Sequence, residues 1–288
     1  MLTWVNGEIR DPAEATISIF DRGFLFGDSV YELTRFFDGE GVGLDLHVER
    51  LRRSLSEAGI SGFRASDYRS ICSELMQALQ IEDACIYIQV TRGVQMPRRH
   101  LPETGLSPTV IAIANPSAPL SECTEPQKIP VTIMADQRRD RCDIKATSLL
   151  DNVMTTMLAH EQGAEEPILH RNGAITEGAT SNVFIVQDGH LLTPELSDPR
   201  PILEGVTRRL VREAAAGLDL PMSERMISVE AFRSADEAFV TSSRRLMGAI
   251  TSIDGVPVAG GGPGVVTMDL FNELRRRIGA GDGAVPTH

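Results

Sequence analysis

The chain has 288 residues, of which 42% are hydrophobic and 24% charged, which is ordinary for a globular protein with an ample core. Its formal net charge of -12 argues against nucleic-acid binding, for which a basic face is expected. The N-terminus lacks the basic and apolar regions of a signal peptide, and no apolar run approaches the ~20 residues that cross a membrane. The four cysteines lack C-x-x-C spacing, so we expect reduced thiols in a cytoplasmic protein.

The first 114 residues predict a smaller α/β domain. Strands predicted from alternation or from turns at their ends span residues 2–5, 8–9, 16–20, 30–37, 86–92 and 109–114. A loop with two glycines is expected at 21–29. Apolar side chains at helical spacing predict helices at 46–58 and from Ser66 to about residue 79. Residues 115–130 contain four prolines and predict an interdomain linker.

Residues 131–280 predict a larger domain, followed by a frayed tail at 281–288. Its predicted strands span residues 131–135, 168–170, 174–176, 183–186, 190–193 and 238–243. Asn172-Gly173 and Asp188-Gly189 are strong hairpin signals within this set. The predicted helices run from the residue after Lys145 to Gly163, from Val206 to Leu218 and over about 267–278. The first of these carries Leu149, Leu150, Val153, Met157 and Leu158 on one face.

Lysine is rare in this chain, since of 28 Lys and Arg residues only Lys128 and Lys145 are lysines. Lys128 lies in a proline-flanked, solvated segment, whereas Lys145 directly precedes the amphipathic helix. An amine can form a Schiff base, which a permanently protonated guanidinium cannot. The ordinary lysine pKa is about 10.4, so a nucleophilic lysine needs burial or nearby positive charge, to which Arg138, Arg139 and Arg141 could contribute. The alternative is an exposed lysine at a helix start.

A second motif, Thr176 to Asn182, offers a carboxylate followed by hydroxyls and an amide. Glu177 can keep a heterocyclic nitrogen protonated, which makes a pyridine ring an electron sink. Thr180, Ser181 and Asn182 can fix the ring or an anion. The alternative is a hairpin rim rich in turn residues.

Three further places have the chemistry of a phosphate site. They are Val206 and Thr207 after Gly205 at a helix start, Ser243 at a strand end, and Arg50 beside an apolar helix face. No nucleotide-binding glycine motif stands in the right context, and the six histidines lack metal-ligand spacing. We therefore predict no metal site.

These motifs together resemble a known family. They are Phe20-Asp21-Arg22-Gly23, Phe26-Gly27-Asp28-Ser29-Val30-Tyr31-Glu32, His47-Val48-Glu49-Arg50-Leu51, Thr91-Arg92-Gly93, Cys142-Asp143-Ile144-Lys145, Ile168-Leu169-His170-Arg171-Asn172, Thr176-Glu177-Gly178, Ser181-Asn182-Val183-Phe184 and Gly205-Val206-Thr207-Arg208. The chain resembles the class IV (fold-type IV) pyridoxal-phosphate aminotransferases, most of all the D-amino-acid aminotransferases. The resemblance implies a two-domain α/β (α+β) fold with a smaller N-terminal domain and a larger C-terminal pseudo-barrel domain.

The resemblance also implies roles for the residues of the cofactor site. Lys145 would form the internal aldimine with pyridoxal 5′-phosphate and then move the proton between Cα and C4′. Glu177 would bond to the pyridine nitrogen, and Leu203 would pack on the ring. The phosphate would be held by Arg50, Val206, Thr207 and Ser243. The family forms homodimers with active sites near the interface.

Substrate specificity depends on the group that holds the substrate carboxylate. Tyr31, Arg98 and His100 match the carboxylate trap of D-amino-acid aminotransferases, in which the Arg-x-His loop comes from the other subunit. Arg35, on the same strand face as Tyr31, could bind a carboxylate as well. We therefore expect transamination between a D-amino acid, such as D-alanine or D-glutamate, and a 2-oxo acid. The alternatives are a branched-chain L-amino-acid aminotransferase, an (R)-amine transaminase, an aminodeoxychorismate lyase or a silent binding protein.

Overall fold

A computed structural model describes residues 1–196 and 202–281 of the chain, which form two compact units. The first unit comprises Met1–Glu122 and Ile144–Ser148, and the second comprises Cys123–Asp143 and the described residues between Leu149 and Gly281. The boundary after Glu122 lies inside the predicted linker, 115–130. Lys145 belongs to the first unit, although the sequence placed it in the second domain. Of the predicted tail, only Gly281 lies within the described residues.

Six described strands form one antiparallel sheet in the first unit, in the order β2-β1-β6-β5-β3-β4. The strands are β1 (Leu2–Val5), β2 (Glu8–Arg10), β3 (Ser29–Phe37), β4 (Glu40–Gly41), β5 (Ala84–Thr91) and β6 (Val110–Pro116). The helices are α1 (Arg22–Phe26), α2 (Leu44–Ala58) and α3 (Asp67–Leu79), and a 3₁₀ helix spans Leu120–Glu122. The core of this unit packs one face of β3, β5 and β6 against α2 and α3, with Leu51, Leu75 and Ile86 fully buried.

Nine described strands form the sheet of the second unit, in the order β12-β11-β10-β13-β14-β7-β8-β9, with β15 paired to β14. The strands are β7 (Gln127–Ala135), β8 (Glu166–Arg171), β9 (Ala174–Gly178), β10 (Asn182–Gln187), β11 (His190–Thr193), β12 (Met222–Glu224), β13 (Glu237–Ser242), β14 (Leu246–Ile253) and β15 (Val256–Pro257). The helices are α4 (Leu150–Glu161), α5 (Val206–Gly217), α6 (Val229–Arg233) and α7 (Val265–Gly279). Strand β7 runs parallel to both β14 and β8.

The hairpins predicted from Asn-Gly and Asp-Gly pairs are confirmed. Asn172 and Gly173 have φ values of 51° and 83°, and Asp188 and Gly189 have 52° and 73°. Two successive positive φ values match the right-handed twist of the flanking strands, which is why this turn favours Asn or Asp followed by Gly. The two hairpins connect β8 to β9 and β10 to β11.

Three predictions of secondary structure are wrong. Residues 16–20 form no strand, and the side chains of Ile17, Ile19 and Phe20 are exposed. The loop predicted at 21–29 contains α1, because Asp21 caps its first turn by accepting a hydrogen bond from the Gly23 N–H at 2.7 Å. The proline-rich segment is not all linker, since Gln127–Pro130 belong to β7.

Helix α4 leaves its apolar face on the surface. It begins at Leu150, later than the sequence predicts, and Leu150, Val153, Met157 and Leu158 are each at least half exposed. Large exposed apolar patches are typical of surfaces that bind another molecule. Within the described part of the chain, no helix is long and apolar enough to span a membrane.

Candidate active site

Lys145 lies on a short extended segment that pairs with the start of β3. The Tyr31 N–H donates to the Lys145 carbonyl at 2.9 Å, and the Lys145 N–H donates to Ser54 Oγ at 3.3 Å. Ile144 packs against the core of the first unit. The Lys145 ammonium lies 4.4 Å from the centre of the Tyr31 ring. The structure therefore brings together Tyr31 and Lys145, two residues that the sequence assigned to the site.

Arg50 forms a buried ion pair with Glu32, which belongs to one of the sequence motifs but not to the predicted site residues. Its Nε and Nη2 donate to the two Glu32 carboxylate oxygens at 2.8 Å each, and His47 Nδ1 lies 2.7 Å from Oε2. Burial raises the pKa of Glu32, but Arg50 and His47 outweigh it and hold that pKa well below its ordinary value. Burial lowers the pKa of His47, against the opposing effect of Glu32. The triad therefore places one anion, on β3, beside one permanent cation, on α2.

The loop that carries Arg98 and His100 is exposed but well anchored. Arg22 donates to the carbonyl oxygens of Arg99 at 2.6 Å and His100 at 2.8 Å. The Phe26 ring lies 4.3 Å from the Arg98 guanidinium and 5.3 Å from the His100 ring. Among the described residues, no hydrogen bond or ring contact joins either side chain to Tyr31 of the same chain.

Arg35 has protein partners. Its Nη2 donates to the Ala118 carbonyl at 2.7 Å, and its guanidinium lies 4.7 Å from the centre of the Phe37 ring. The side chain is buried, with 9% of its surface exposed. These contacts fix Arg35 within the first unit, and its substrate role stays a prediction.

Glu177 is buried in the second unit and bonded through both carboxylate oxygens. Arg138 Nη1 donates to Oε1 at 2.9 Å, and the Leu203 N–H donates to Oε2 at 3.2 Å. Burial raises the pKa of Glu177, and Arg138 opposes that rise. A fixed, water-excluded carboxylate of this kind is suited to bonding a ring nitrogen. Arg138, which the sequence considered only as part of an arginine cluster, is a direct neighbour of the predicted acid.

Asn182 joins Glu177 to the start of α5. Its Nδ2 donates to the Leu203 carbonyl at 2.8 Å and lies 3.4 Å from Glu177 Oε2. A Cβ at Gly205 would lie 2.0 Å from Asn182 Oδ1, so only glycine fits at this position without displacing the amide. The structure thus brings together Glu177, Asn182 and Leu203 beside a helix N-terminus.

The hydroxyl groups of Thr180 and Ser181 bind a carboxylate that the sequence did not single out. Glu166 Oε1 accepts hydrogen bonds from Ser181 Oγ at 2.7 Å, Thr180 Oγ1 at 3.2 Å and the Thr180 N–H at 3.1 Å. Arg245 Nη1 lies 3.8 Å from the other oxygen of Glu166. Glu166 thereby fixes the turn that leads into Asn182.

Val206 and Thr207 form the first turn of α5, after the N-cap Gly205, which makes no side-chain cap hydrogen bond. The N–H groups of such a turn attract anions. Ser243 lies in the turn that follows β13. Thr241 pairs with Asn182 across the sheet, and its buried hydroxyl has no hydrogen-bond partner among the described residues. The start of α5 therefore offers backbone N–H donors that no capping side chain occupies, and Thr241 offers a hydroxyl donor.

Sequence signals for the missed residues were weak but real. Alternation along β3 places Glu32 on the face opposite Tyr31, and His47 and Arg50 have the i, i+3 spacing of one helix face. Nothing in one sequence shows that these faces meet. No group of three or more His, Cys, Asp or Glu residues in the described ranges could hold a metal ion.

Comparison with known proteins identifies relatives that match nearly the whole chain. The model of the family described as amino-transferase class IV matches residues 29–253. A D-alanine aminotransferase of Bacillus licheniformis is 36% identical over 276 residues, which cover 95% of each chain. A D-alanine aminotransferase of Staphylococcus haemolyticus is also 36% identical, over 96% of this chain and 97% of its own.

Two solved structures with the same fold are those of branched-chain aminotransferases. That of Thermoproteus uzoniensis, crystallised with norvaline, has a TM-score of 0.85 and 28% identity, and the match covers 98% of this chain and 95% of the other. The Escherichia coli enzyme has a TM-score of 0.85 and 25% identity, with 100% and 96% covered. These matches confirm the predicted fold class.

Proposed function

Because the chain belongs to the class IV aminotransferases, we propose that it moves the amino group of a D-amino acid, of the D-alanine or D-glutamate type, to a 2-oxo acid. The observation that carries the choice of D-amino acids is 36% identity to D-alanine aminotransferases over nearly the whole chain. The reaction would use pyridoxal 5′-phosphate, whose ring withdraws electrons from the substrate Cα when bound.

The residues of the second unit fit such a cofactor. Glu177 offers a buried carboxylate for the pyridine nitrogen, and Leu203 lies next to it in the same hydrogen-bond network. The uncapped first turn of α5, with Val206 and Thr207, offers donors for a phosphate. The buried Thr241 hydroxyl, which lacks a partner among the described residues, indicates a place that a bound group completes. Further polar groups for the cofactor would come from Thr180, Ser181 and Asn182, with Thr180 and Ser181 held by Glu166. Ser243, in the turn after β13, would add another hydroxyl group.

In the first unit, Lys145 would hold the cofactor covalently and move the substrate proton at its amine. The Tyr31 ring lies against that amine, and the Tyr31 N–H fixes the backbone of Lys145. Arg50 would supply positive charge toward the phosphate while Glu32 keeps its guanidinium in one orientation. These roles follow from the chemistry of an amine, an aromatic ring and a fixed guanidinium.

The substrate carboxylate would be bound by Tyr31 together with Arg98 and His100. Because Arg98 and His100 are exposed on an anchored loop and make no hydrogen bond or ring contact with Tyr31 within the described chain, we propose that they serve the site of a second copy. A homodimer is supported by the exposed apolar side chains of α4 and of the segments around Phe24 and Met96. A cytoplasmic location is supported by the free state of the described cysteines, Cys72, Cys85, Cys123 and Cys142.

A substrate panel tests the choice of amino acid. Purified protein supplied with pyridoxal 5′-phosphate is assayed with D-alanine, L-alanine, D-glutamate and L-leucine, with 2-oxoglutarate or pyruvate as acceptor. We expect turnover of the D-amino acids. Turnover of L-leucine alone would instead indicate a branched-chain L-amino-acid aminotransferase, the activity of the structural relatives.

A second experiment tests the cofactor and its lysine. We expect the protein to turn yellow with pyridoxal 5′-phosphate and borohydride to link the cofactor to Lys145, as read by peptide mass spectrometry. Lys145→Ala should lose turnover, and Lys128→Ala, the matched lysine on the exposed start of β7, should retain it. A colourless protein or an active Lys145→Ala variant would overturn the proposal.

A further inference from the structure

Four charged side chains of the second unit form a continuous, buried ion-pair network that ends at Glu177. Arg171 donates to Asp136 at 2.9 Å, Arg138 binds Asp136, and Arg138 Nη1 donates to Glu177 at 2.9 Å. The four side chains are between 0% and 12% exposed. The two arginines and the two carboxylates alternate, so these four side chains have no net charge and each has a neighbour of opposite charge. Removing any one member leaves an uncompensated buried charge.

Arg138 is held in one orientation by Asp136. Its Nε and Nη2 donate to the two carboxylate oxygens at 2.9 Å each, and its backbone N–H donates to Oδ1 at 3.1 Å. Asp136 directly follows β7, and its N–H donates to the His170 carbonyl at 2.8 Å. Thr176 Oγ1 donates to its other oxygen at 3.2 Å. With two of its three nitrogens committed to Asp136, the guanidinium directs the third at Glu177.

We infer that Arg138 is a positioning residue that keeps Glu177 ionised and oriented toward the pyridine nitrogen of the cofactor. The proton shared between Glu177 and that nitrogen then stays on the nitrogen. This inference rests on the proposed function of Glu177. A carboxyl group buried without a cation takes up a proton, whereas a guanidinium in hydrogen-bond contact stabilises the carboxylate. A less basic carboxylate leaves the shared proton on the nitrogen, and a protonated ring is the better electron sink.

A purely structural role for these four charged side chains would have a different consequence. A buried ion pair that only stabilises the fold would lower the unfolding temperature when broken but would leave the protonation state of a bound ligand unchanged. The position of the proton is therefore the informative measurement, and it does not depend on turnover.

The test uses pyridoxal 5′-phosphate labelled with ¹⁵N at the pyridine nitrogen, bound to wild-type protein and variants and observed by NMR. In wild type we expect the signal of a protonated nitrogen. Arg138→Gln should move the signal toward neutral pyridine and lower kcat by at least about tenfold, the effect of one pKa unit, with a smaller change in KM. Arg138→Lys, which retains the positive charge but not the planar fork, should fall between the two. Arg276→Gln, which removes the exposed arginine of an Arg–Glu pair on α7, should match wild type.

Two outcomes would overturn the inference. One is a wild-type ¹⁵N signal in Arg138→Gln, and the other is an equal change in Arg276→Gln. If Arg138→Gln does not fold, Asp136→Asn decides, because it keeps the shape of Asp136 and loosens its hold on Arg138: a shift toward neutral pyridine supports the inference and an unchanged signal overturns it. Failure of the proposed function is distinguishable, since wild-type protein would then bind no cofactor at Lys145.

Discussion

Glu32 on β3 and Arg50 on α2 form a two-point ion pair in the core of the first unit, with both N–O distances at 2.8 Å. The carboxylate is completely buried and the guanidinium nearly so. Arg50 is one of the four residues predicted to hold a phosphate, and Glu32 fixes its guanidinium before any ligand binds. We therefore expect the same ion pair to stabilise the first unit and to orient Arg50 for the proposed phosphate.

Glu32→Gln should destabilise the chain by about 3–5 kcal/mol, the usual cost of leaving one partner of a buried ion pair alone. Because the pKa of Glu32 is lowered in the folded chain, the pair stabilises fully above the ordinary glutamate pKa of about 4.3. That stabilisation is lost as the pH falls through the lowered value. Denaturant unfolding at pH 7 and in acid measures both effects.

The matched control is Glu49→Gln, the same substitution at an exposed position of α2 next to Arg50. It should cost less than about 0.5 kcal/mol, as surface changes usually do. Equal stability of Glu32→Gln and Glu49→Gln at pH 7, or a difference that grows in acid, would contradict the role given to the pair.

Local patterns predicted the parts of the fold that local chemistry decides. The hairpin turns at Asn172-Gly173 and Asp188-Gly189 follow from backbone conformations that few residues adopt. The strand at 16–20 was wrong because alternation alone does not show whether a neighbouring strand exists to pair with. The sequence does not predict the β14 strand, Leu246–Ile253, because its apolar and polar residues do not alternate.

The candidate site divides in the same way. Lys145 and Glu177 could be singled out because their chemistry is unusual for their surroundings. Glu32, Asp136 and Glu166 could not, because each acquires its role from a partner distant in the sequence. Alternation along a strand gives the face of a side chain but never the identity of the residue across from it.

Gly205→Ala should disturb the start of α5 through Asn182. The backbone of Gly205 has φ −69°, which alanine adopts freely, but the added Cβ would lie 2.0 Å from Asn182 Oδ1. Moving the amide breaks its bond to Leu203, so we expect a loss of about 1–3 kcal/mol, typical of overpacking. Thermal unfolding and the Kd for pyridoxal 5′-phosphate measure the effect. Gly262→Ala, where nothing lies within 4 Å and φ is −144°, is the control and should leave both unchanged.

Glu166→Ala should loosen the turn at Thr180 and Ser181. The carboxylate accepts three hydrogen bonds from these two residues, and a hydrogen bond to a charged group contributes about 1.5–3 kcal/mol. We expect lower stability and at least about tenfold weaker binding of pyridoxal 5′-phosphate, the equivalent of 1.4 kcal/mol. Calorimetric titration of the apoprotein measures the affinity.

The adjacent Glu165→Ala is the control for this change. Glu165 is 46% exposed and pairs with the same Arg245 at 2.8 Å, so it tests whether the arginine contact alone matters. Equal affinities in the two variants would show that the hydroxyl contacts of Glu166 contribute nothing to binding.

Met157→Glu should separate the proposed dimer into single chains. Met157 is 59% exposed on α4 and lies on the apolar face with Leu150 and Val153, so a carboxylate there would be buried without a partner in any interface that covers this face. Burying an unpaired charge costs several kcal/mol, enough to shift the dissociation constant by more than about a hundredfold. Sedimentation velocity over a concentration series measures the assembly state. Met226→Glu places the same charge at another exposed methionine of the second unit, 69% exposed, and should leave the dimer intact. A Met157→Glu variant that sediments as the wild-type dimer would show that α4 lies outside the interface, and a monomeric wild-type chain would remove the dimer itself.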